Sequence, residues 1–432
     1  MSCVDKNQQV PMAKMSREQL QQFLAEQQKA YKAFQDLGLK LDMSRGKPCT
    51  EILDQSNGLY AGMTEFKDAS GQDVRNYGGL TGIPEARALF SEIFGVPADQ
   101  VIMGGSSSLD LMFDMIGMDY VRGVGAGQKP WDGQKIKFLC PSPGYDRHFT
   151  LCEYFGIEMI TIPMLADGPD MDMVESLVKD DASIKGIWCV PMYSNPDGIT
   201  YSDEVVRRLA AMPTAAEDFR IFCDCAYVLH HLYPNDRDHL LNMYQACAEA
   251  GHADRIYMFA STSKVTTAGG GLSAMAMSPA NCDWVSKQMA MRAICYDKVN
   301  MLRHCRFLPN LAAVDKLMME HAEILRPKFQ TVDSILEKEL APLQVCRWMK
   351  PKGGYFISFY APKGCAKRIV ALCKEAGVVL TGAGASYPYG KDPDDSNIRL
   401  SPSFPTIPEL EQAMELFCVA VKICAAEKML AE

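Results

Sequence analysis

From about residue 100 onward, short apolar runs alternate with stretches of helical spacing, and this alternation constrains the fold more than any other feature. Val101-Ile-Met103, Lys137-Phe-Leu-Cys140, residues 184–190, Arg220-Ile-Phe-Cys-Asp224 and Arg255-Ile-Tyr-Met-Phe-Ala260 read as buried strands. Strands separated by helices form a mostly parallel sheet, because each crossover returns over a sheet face. These five runs end in polar or aromatic loops: Gly104-Gly-Ser-Ser-Ser108, Pro141-Ser-Pro-Gly-Tyr145, Pro191-Met-Tyr-Ser-Asn-Pro-Asp-Gly198, Asp224-Cys-Ala-Tyr227 and Ser261-Thr-Ser-Lys264. In open α/β sheets ligands gather just beyond the carboxyl ends of the strands. Function is therefore expected in these loops.

The flanking segments read differently. Ser16-Arg-Glu-Gln19 matches a capping box ahead of an amphipathic helix, with Gly38 as its terminator. Ser44-Arg-Gly-Lys-Pro48 places two cations around a glycine, residues 49–75 show no regular pattern, and Pro84 opens a further helix. The alternation stops near residue 300. A long helix is predicted over 308–340, followed by strand, helix, strand, strand and helix up to about residue 425. At 432 residues the chain suits one large α/β domain and a smaller one. The expected division is an N-terminal segment 1–55 packing with the smaller domain, a large domain 56–310, and a small C-terminal domain 311–432.

Composition narrows the function classes. A net charge of -9 leaves no footprint for nucleic acid or an anionic membrane. No apolar stretch reaches membrane-spanning length, and the residues before Met15 carry no apolar leader. The 16 cysteines are scattered among apolar runs, with neither paired metal-ligand spacing nor a histidine cluster, so no metal is expected. A reducing cytoplasm fits that usage.

Each loop, taken singly, has two readings. Lys264, between an apolar run and Gly269-Gly-Gly271, is either a surface turn residue or a buried amine available for Schiff-base chemistry. Gly104 to Ser108, at a strand-to-helix junction, is either a capped turn or a phosphate site built on backbone N–H groups and a helix dipole. Asp224 closes an apolar strand, where a carboxylate is costly unless partnered. It reads as a structural ion pair, a helix cap, or the partner of a protonated pyridine nitrogen. Tyr145 and Tyr227 read as core packing or as ring-stacking groups.

The order of these motifs resembles that of fold-type I, pyridoxal-phosphate-dependent aminotransferases of class I, over nearly the whole chain. Ser44-Arg-Gly-Lys-Pro48 together with Ser261-Thr-Ser-Lys-Val-Thr266 is similar to the subgroup Ic aspartate aminotransferases, relatives of the C-terminal halves of MocR-type regulators. The resemblance implies a seven-stranded, mostly parallel mixed sheet between helices plus a smaller α+β domain. It implies pyridoxal 5'-phosphate held covalently by Lys264, whose amine then moves the substrate proton. Asp224 would pair with the pyridine nitrogen, Asn195 and Tyr227 would bond the ring oxygen, and Tyr145 would stack on the ring. Gly105, Ser106, Ser107, Ser261 and Ser263 would bind phosphate, joined by Tyr77 from a neighbouring subunit in a homodimer with shared sites. Arg399 would clamp the substrate α-carboxylate beside Gly46.

Two positions depart from the family pattern. Leu272 stands where a phosphate-binding arginine is usual, leaving Ser107, Thr266, Thr267 or a distant lysine to compensate. Asn195-Pro-Asp-Gly198 replaces Asn-Pro-Thr-Gly, and Asp197 is expected to face solvent. A dicarboxylate substrate needs a second cation, with Arg45, Arg292, Lys298, Arg303 and Arg306 as candidates. The expected activity is ping-pong transfer from L-aspartate to 2-oxoglutarate. The alternatives are transamination of alanine, aromatic or aminoadipate-like substrates, or a β-lyase. A cofactor-sensing regulator would need a DNA-binding module upstream, and only about forty residues precede Arg45.

Overall fold

The alternation of strand and helix builds one mixed sheet. The computed structural model describes residues 10–125 and 127–432. The sheet contains β1 (Val101–Met103), β2 (Lys137–Ser142), β3 (Glu158–Leu165), β4 (Gly168–Pro169), β5 (Ile184–Cys189), β6 (Arg220–Asp224), β7 (Ile256–Ser261) and β8 (Ser273–Ala276). Their spatial order is β1-β8-β7-β6-β5-β2-β3-β4. Strands β7, β6, β5, β2 and β3 pair in parallel, while β8 runs antiparallel to both β1 and β7.

The sheet has eight strands where seven were expected. The addition is β4, a two-residue edge strand folded back antiparallel on β3. Two residues carry no readable period, so sequence pattern could not reveal it.

Burial explains why the central strands lack alternation. All six residues of β5 and all five of β6 are buried, as expected when helices cover both faces. Phe222 projects into an aromatic cluster with ring centroids 5.4 Å from Phe138, 5.0 Å from Trp188 and 5.5 Å from Tyr257. Cys223 faces the opposite core. Because side chains alternate along a strand, Asp224 shares the Phe222 face.

The chain divides into two compact units. The larger comprises Thr50–Ser194 and Ile199–Ala322. The smaller comprises the chain up to Cys49, the four-residue Asn195–Gly198 segment and Glu323–Glu432. The chain passes between them at 49/50, 194/195, 198/199 and 322/323, the last within the helix Leu311–Glu339. The expected boundaries lay at 55/56 and 310/311. A helix with no cap signal at residue 322 gives sequence nothing to mark the passage.

In the smaller unit Ser16 makes the anticipated capping box with Gln19 on the helix Arg17–Leu37, and Gly38 takes the left-handed conformation at φ 63°. The C-terminal helix Ile407–Ala431 is buried along most of its length, which suits its apolar composition. Its one deeply buried cation, Lys422, is satisfied by Glu339 at 2.6 Å. A three-stranded antiparallel sheet contains β9 (Arg347–Trp348), β10 (Ile357–Tyr360) and β11 (Asn397–Leu400) in that order. Strands Leu41–Met43 and Val378–Leu380 pair separately in parallel.

Because Phe222 is fully buried at the centre of its cluster, Phe222→Ala should lower unfolding free energy by about 3–5 kcal/mol. The change is read as a reduced denaturant midpoint at unchanged slope.

Candidate active site

Strand β6 delivers Asp224 into an almost dry environment, 4% exposed. Its Oδ2 lies 3.2 Å from His148 Nε2. Its Oδ1 is buried and has no hydrogen-bond partner among the described residues. His148 occupies the first turn of the helix Asp146–Phe155, whose N-cap is Tyr145. The imidazole stacks on Trp188 at 4.2 Å and an interplanar angle of 5°, and meets the Tyr145 ring edge-on at 5.0 Å. Packing and stacking thus hold one side of the carboxylate, while the other oxygen lies buried without a partner among the described residues.

Lys264 sits in the turn after β7, half-buried, with Nζ over the Tyr227 ring at 4.9 Å. The Tyr145 phenol is pushed up by burial, a shift that the nearby Lys264 charge opposes. Ser261 Oγ donates to Ser263 Oγ at 3.1 Å, and Ser263 Oγ donates to the Ser106 carbonyl at 2.9 Å. The lysine turn and the Gly-Ser loop are therefore joined directly. The Gly104 N–H donates to the Ser273 carbonyl at 2.8 Å, and the Ser273 N–H returns a 2.8 Å bond to the Gly105 carbonyl. A side chain at Gly104 would strike Leu111 and Ser273, whereas at Gly105 it would meet open space. Ser107 caps the 15-residue helix Ser108–Arg122, accepting from the Leu109 N–H at 3.2 Å.

These features answer whether a phosphorylated pyridine fits. An orphaned buried carboxylate oxygen suits a pyridinium N–H, a lysine amine stands over an aromatic ring, and a glycine-serine helix N-terminus opens beside serine hydroxyls. The donor set matches the group.

The structure corrects part of the proposed phosphate compensation. Thr266 is fully buried, and its hydroxyl is engaged by the Thr262 carbonyl and His304 Nε2, so it faces the core. Thr267 keeps an accessible position and receives the Tyr60 hydroxyl at 3.1 Å. Leu272 is 2% exposed and belongs to the apolar core, its N–H bonded to Thr262 Oγ1 at 2.8 Å. Tyr77 is 76% exposed on its loop.

Within the smaller unit, β11 carries Arg399, which is 6% exposed. Its Nη1 donates to Asn195 Oδ1 at 3.2 Å, and its guanidinium lies over Phe356 at 4.9 Å. A side chain at position 46 would collide with that same Phe356 ring, at 2.4 Å. Gly46 and Arg399 therefore both lie against Phe356. Arg45 is exposed. Asp197, expected to face solvent, is instead 3% exposed and accepts from the Tyr360 hydroxyl at 2.7 Å. The reason is tertiary, since β10 supplies the donor that repays its burial.

Among the remaining candidate cations, Arg292 is paired with Asp114, Arg303 donates to Asn300 Oδ1 at 2.6 Å, and Arg306 is exposed. Lys298 is 2% exposed and its Nζ has no partner among the described residues.

Sequence reasoning missed His148 and His230. His148 follows Tyr145 by three residues in a helix-opening position, a spacing that brings both rings together and could have flagged it. His230 is buried, with its ring 5.6 Å from Tyr227. Burial, reinforced by the Lys264 charge, pushes its imidazole well below the usual histidine range.

Among the described residues no helix is long and apolar enough to cross a membrane, no cluster of three metal-ligating side chains occurs, and no disulfide joins the cysteines.

Comparison with known proteins agrees with this geometry. The family model described as "Aspartate amino-transferase" matches residues 15–432. An aspartate aminotransferase of Corynebacterium glutamicum is 44% identical over 426 residues, covering 96% of this chain and 98% of the relative. A protein of Mycolicibacterium smegmatis named as an aminotransferase is 45% identical over 411 residues, covering 94% and 96% respectively. The crystal structure of an aspartate transaminase from C. glutamicum superimposes with a TM-score of 0.94 at 43% identity, covering 98% of this chain and all of the other. The chain therefore belongs to the aspartate aminotransferase family, whose members are pyridoxal-phosphate-dependent transaminases of fold type I.

Proposed function

We propose that this protein transfers the amino group of L-aspartate to 2-oxoglutarate, using pyridoxal 5'-phosphate bound covalently to Lys264, as a cytoplasmic homodimer. The observation that carries the cofactor reading is the buried, unpartnered Oδ1 of Asp224, held in place by the contact of Oδ2 with His148. A carboxylate in that setting is costly unless a charged donor completes it. Aspartate as substrate is favoured by the 44% identical relative that bears this name.

When bound, the cofactor supplies an electron sink for the pair left at the substrate Cα. Asp224 Oδ1 would pair with the ring nitrogen and favour its protonated form. Lys264 Nζ would hold the cofactor at rest and, once freed, would carry the substrate Cα proton away and return it. Tyr145 would pack on the ring, and Asn195 and Tyr227 would bond its oxygen. Gly105, Ser106, Ser107, Ser261 and Ser263 would bind the phosphate, joined by Tyr77 of the partner subunit. Arg399, beside Gly46, holds the α-carboxylate through its planar fork. For the second carboxylate Lys298 is the strongest candidate, because its ammonium is buried and unpartnered. Arg45 is available as an exposed alternative.

The decisive test mixes the purified holoenzyme with a panel of amino acids and follows the visible spectrum. Aspartate and glutamate should convert it fastest; conversion by alanine or an aromatic amino acid with no response to aspartate would reject the substrate assignment. Lys264→Ala should lose both the lysine-linked visible absorbance and turnover while retaining the far-ultraviolet circular dichroism of the wild type. Asp224→Ala should keep the fold but lower kcat by roughly 100-fold or more, as expected for loss of a preorganised electrostatic partner. Wild-type turnover in either variant would contradict the role given to that residue.

A further inference from the structure

The Asn195–Gly198 segment, which belongs to the smaller unit, is pinned to one face of its three-stranded sheet. In the β10–β11 register Ser358 stands opposite Arg399, and Tyr360 opposite Asn397. Cross-strand partners project to the same face, and so do residues two apart, so these four side chains form one patch. Arg399 Nη1 reaches Asn195 Oδ1 at 3.2 Å, and the Tyr360 hydroxyl reaches Asp197 Oδ1 at 2.7 Å. The Ser358 hydroxyl also hydrogen-bonds the Asp197 carboxyl. Gly198, at φ 70°, closes the segment so tightly against Pro351 that an added Cβ would lie 2.4 Å from it.

The bonds around Asp197 have a direction. Ser386 Oγ donates to Asn397 Oδ1 at 2.9 Å, and Asn397 Nδ2 donates to Ser358 Oγ at 2.8 Å. An amide NH2 only donates, so Ser358 Oγ accepts from Asn397 and keeps its own proton for the Asp197–Tyr360 pair beside it. Tyr360 donates from the other side, with the Arg347 guanidinium over its ring at 3.6 Å. The Tyr360 hydroxyl gives its proton to Asp197, and an ionised carboxylate is the side chain that accepts without donating. Burial pushes this carboxyl above its ordinary range, and the hydroxyls and Arg347 pull it back. A threonine at this position would supply a single oxygen that must also place a proton of its own. An asparagine would turn an NH2 toward one of the two hydroxyls.

We propose that Asp197 is a positioning residue for substrate recognition: by locking the Asn195–Gly198 segment onto the β10–β11 face, it fixes Asn195 against Arg399 and so aims the guanidinium at the substrate carboxylate. This rests on the function proposed above, in which Arg399 is the carboxylate clamp. The locked segment brings Asn195 Oδ1 to one edge of the guanidinium, and Phe356 supports its plane. Losing the lock lets Asn195 and Arg399 sample other geometries, which weakens binding of carboxylate ligands before it affects bond-breaking steps.

The test uses the holoenzyme with succinate, a dicarboxylate lacking an amino group, as the probe. Asp197→Asn, nearly identical in shape, should raise the succinate Kd and the aspartate KM about tenfold, the size expected for disrupting a hydrogen bond to a charged group. In that variant kcat should stay within roughly threefold, because only substrate binding is loosened. Tyr360→Phe, which removes one donor and leaves Asp197 in place, should shift both constants in the same direction by less. In an Arg399→Lys background, Asp197→Asn should add almost nothing, since both act on one carboxylate contact. A purely structural role would instead lower Tm and kcat and leave the two substitutions additive. Unchanged succinate affinity in Asp197→Asn, or full additivity with Arg399→Lys, overturns the positioning role while the transaminase reading stands. A wild-type protein that neither binds succinate nor responds to any amino acid overturns that reading, and the positioning role with it.

Discussion

The structure depends on a carboxylate placed where water cannot solvate it. Asp224 terminates a strand whose five residues are all buried, and one of its oxygens has no partner among the described residues. Burying an anion this deeply costs several kcal/mol per ion, on the order of a whole domain's net stability, unless charge and hydrogen bonds repay it. Part of the repayment is visible in His148, clamped between Trp188 and Tyr145. The other oxygen has no partner among the described residues, and in the proposed function a protonated pyridine nitrogen would complete it, from a seat made rigid by the aromatic cluster beside β6.

Around that seat, the same loops serve as scaffold and as ligand surface. Ser273, the first residue of β8, exchanges backbone hydrogen bonds with Gly104 and Gly105 and so fixes the glycine-serine turn at the helix N-terminus. Ser263 ties the lysine turn to Ser106. Leu272, beside Ser273, turns its side chain into the core, so no guanidinium can come from that position. In the proposed function the positive helix end and the clustered hydroxyls would carry the anion's compensation without an arginine from position 272. That arrangement relies on directional hydrogen bonds more than on net charge.

The residues of the smaller unit proposed to bind substrate follow a parallel logic. Gly46 is glycine because Phe356 occupies the space its side chain would need, and Phe356 also supports Arg399. Asp197 was expected to face solvent; in the folded chain it is buried and accepts from the Tyr360 hydroxyl, beside a line of donors running from Ser386 through Asn397 to Ser358. A buried carboxylate offers two acceptor oxygens where a threonine hydroxyl offers one that must also place its own proton.

Much of this was legible beforehand. The strand-helix alternation, the capping box at Ser16, the terminator at Gly38 and the strand-end positions of Lys264, Asp224 and Tyr227 all follow from local chemistry, because period, caps and turns are set by neighbouring residues. The sequence by itself thus determined the fold class and the family, and it nominated the reactive groups. Only the tertiary structure decided which polar groups find partners. Among the described residues it assigned His148 to one oxygen of Asp224 and nothing to the other, sent Thr266 into the core, left Lys298 buried without a partner and brought Tyr360 to Asp197. These pairings join residues tens to hundreds of positions apart, and a hydrogen bond depends on a separation of about 3 Å in space that linear spacing does not encode.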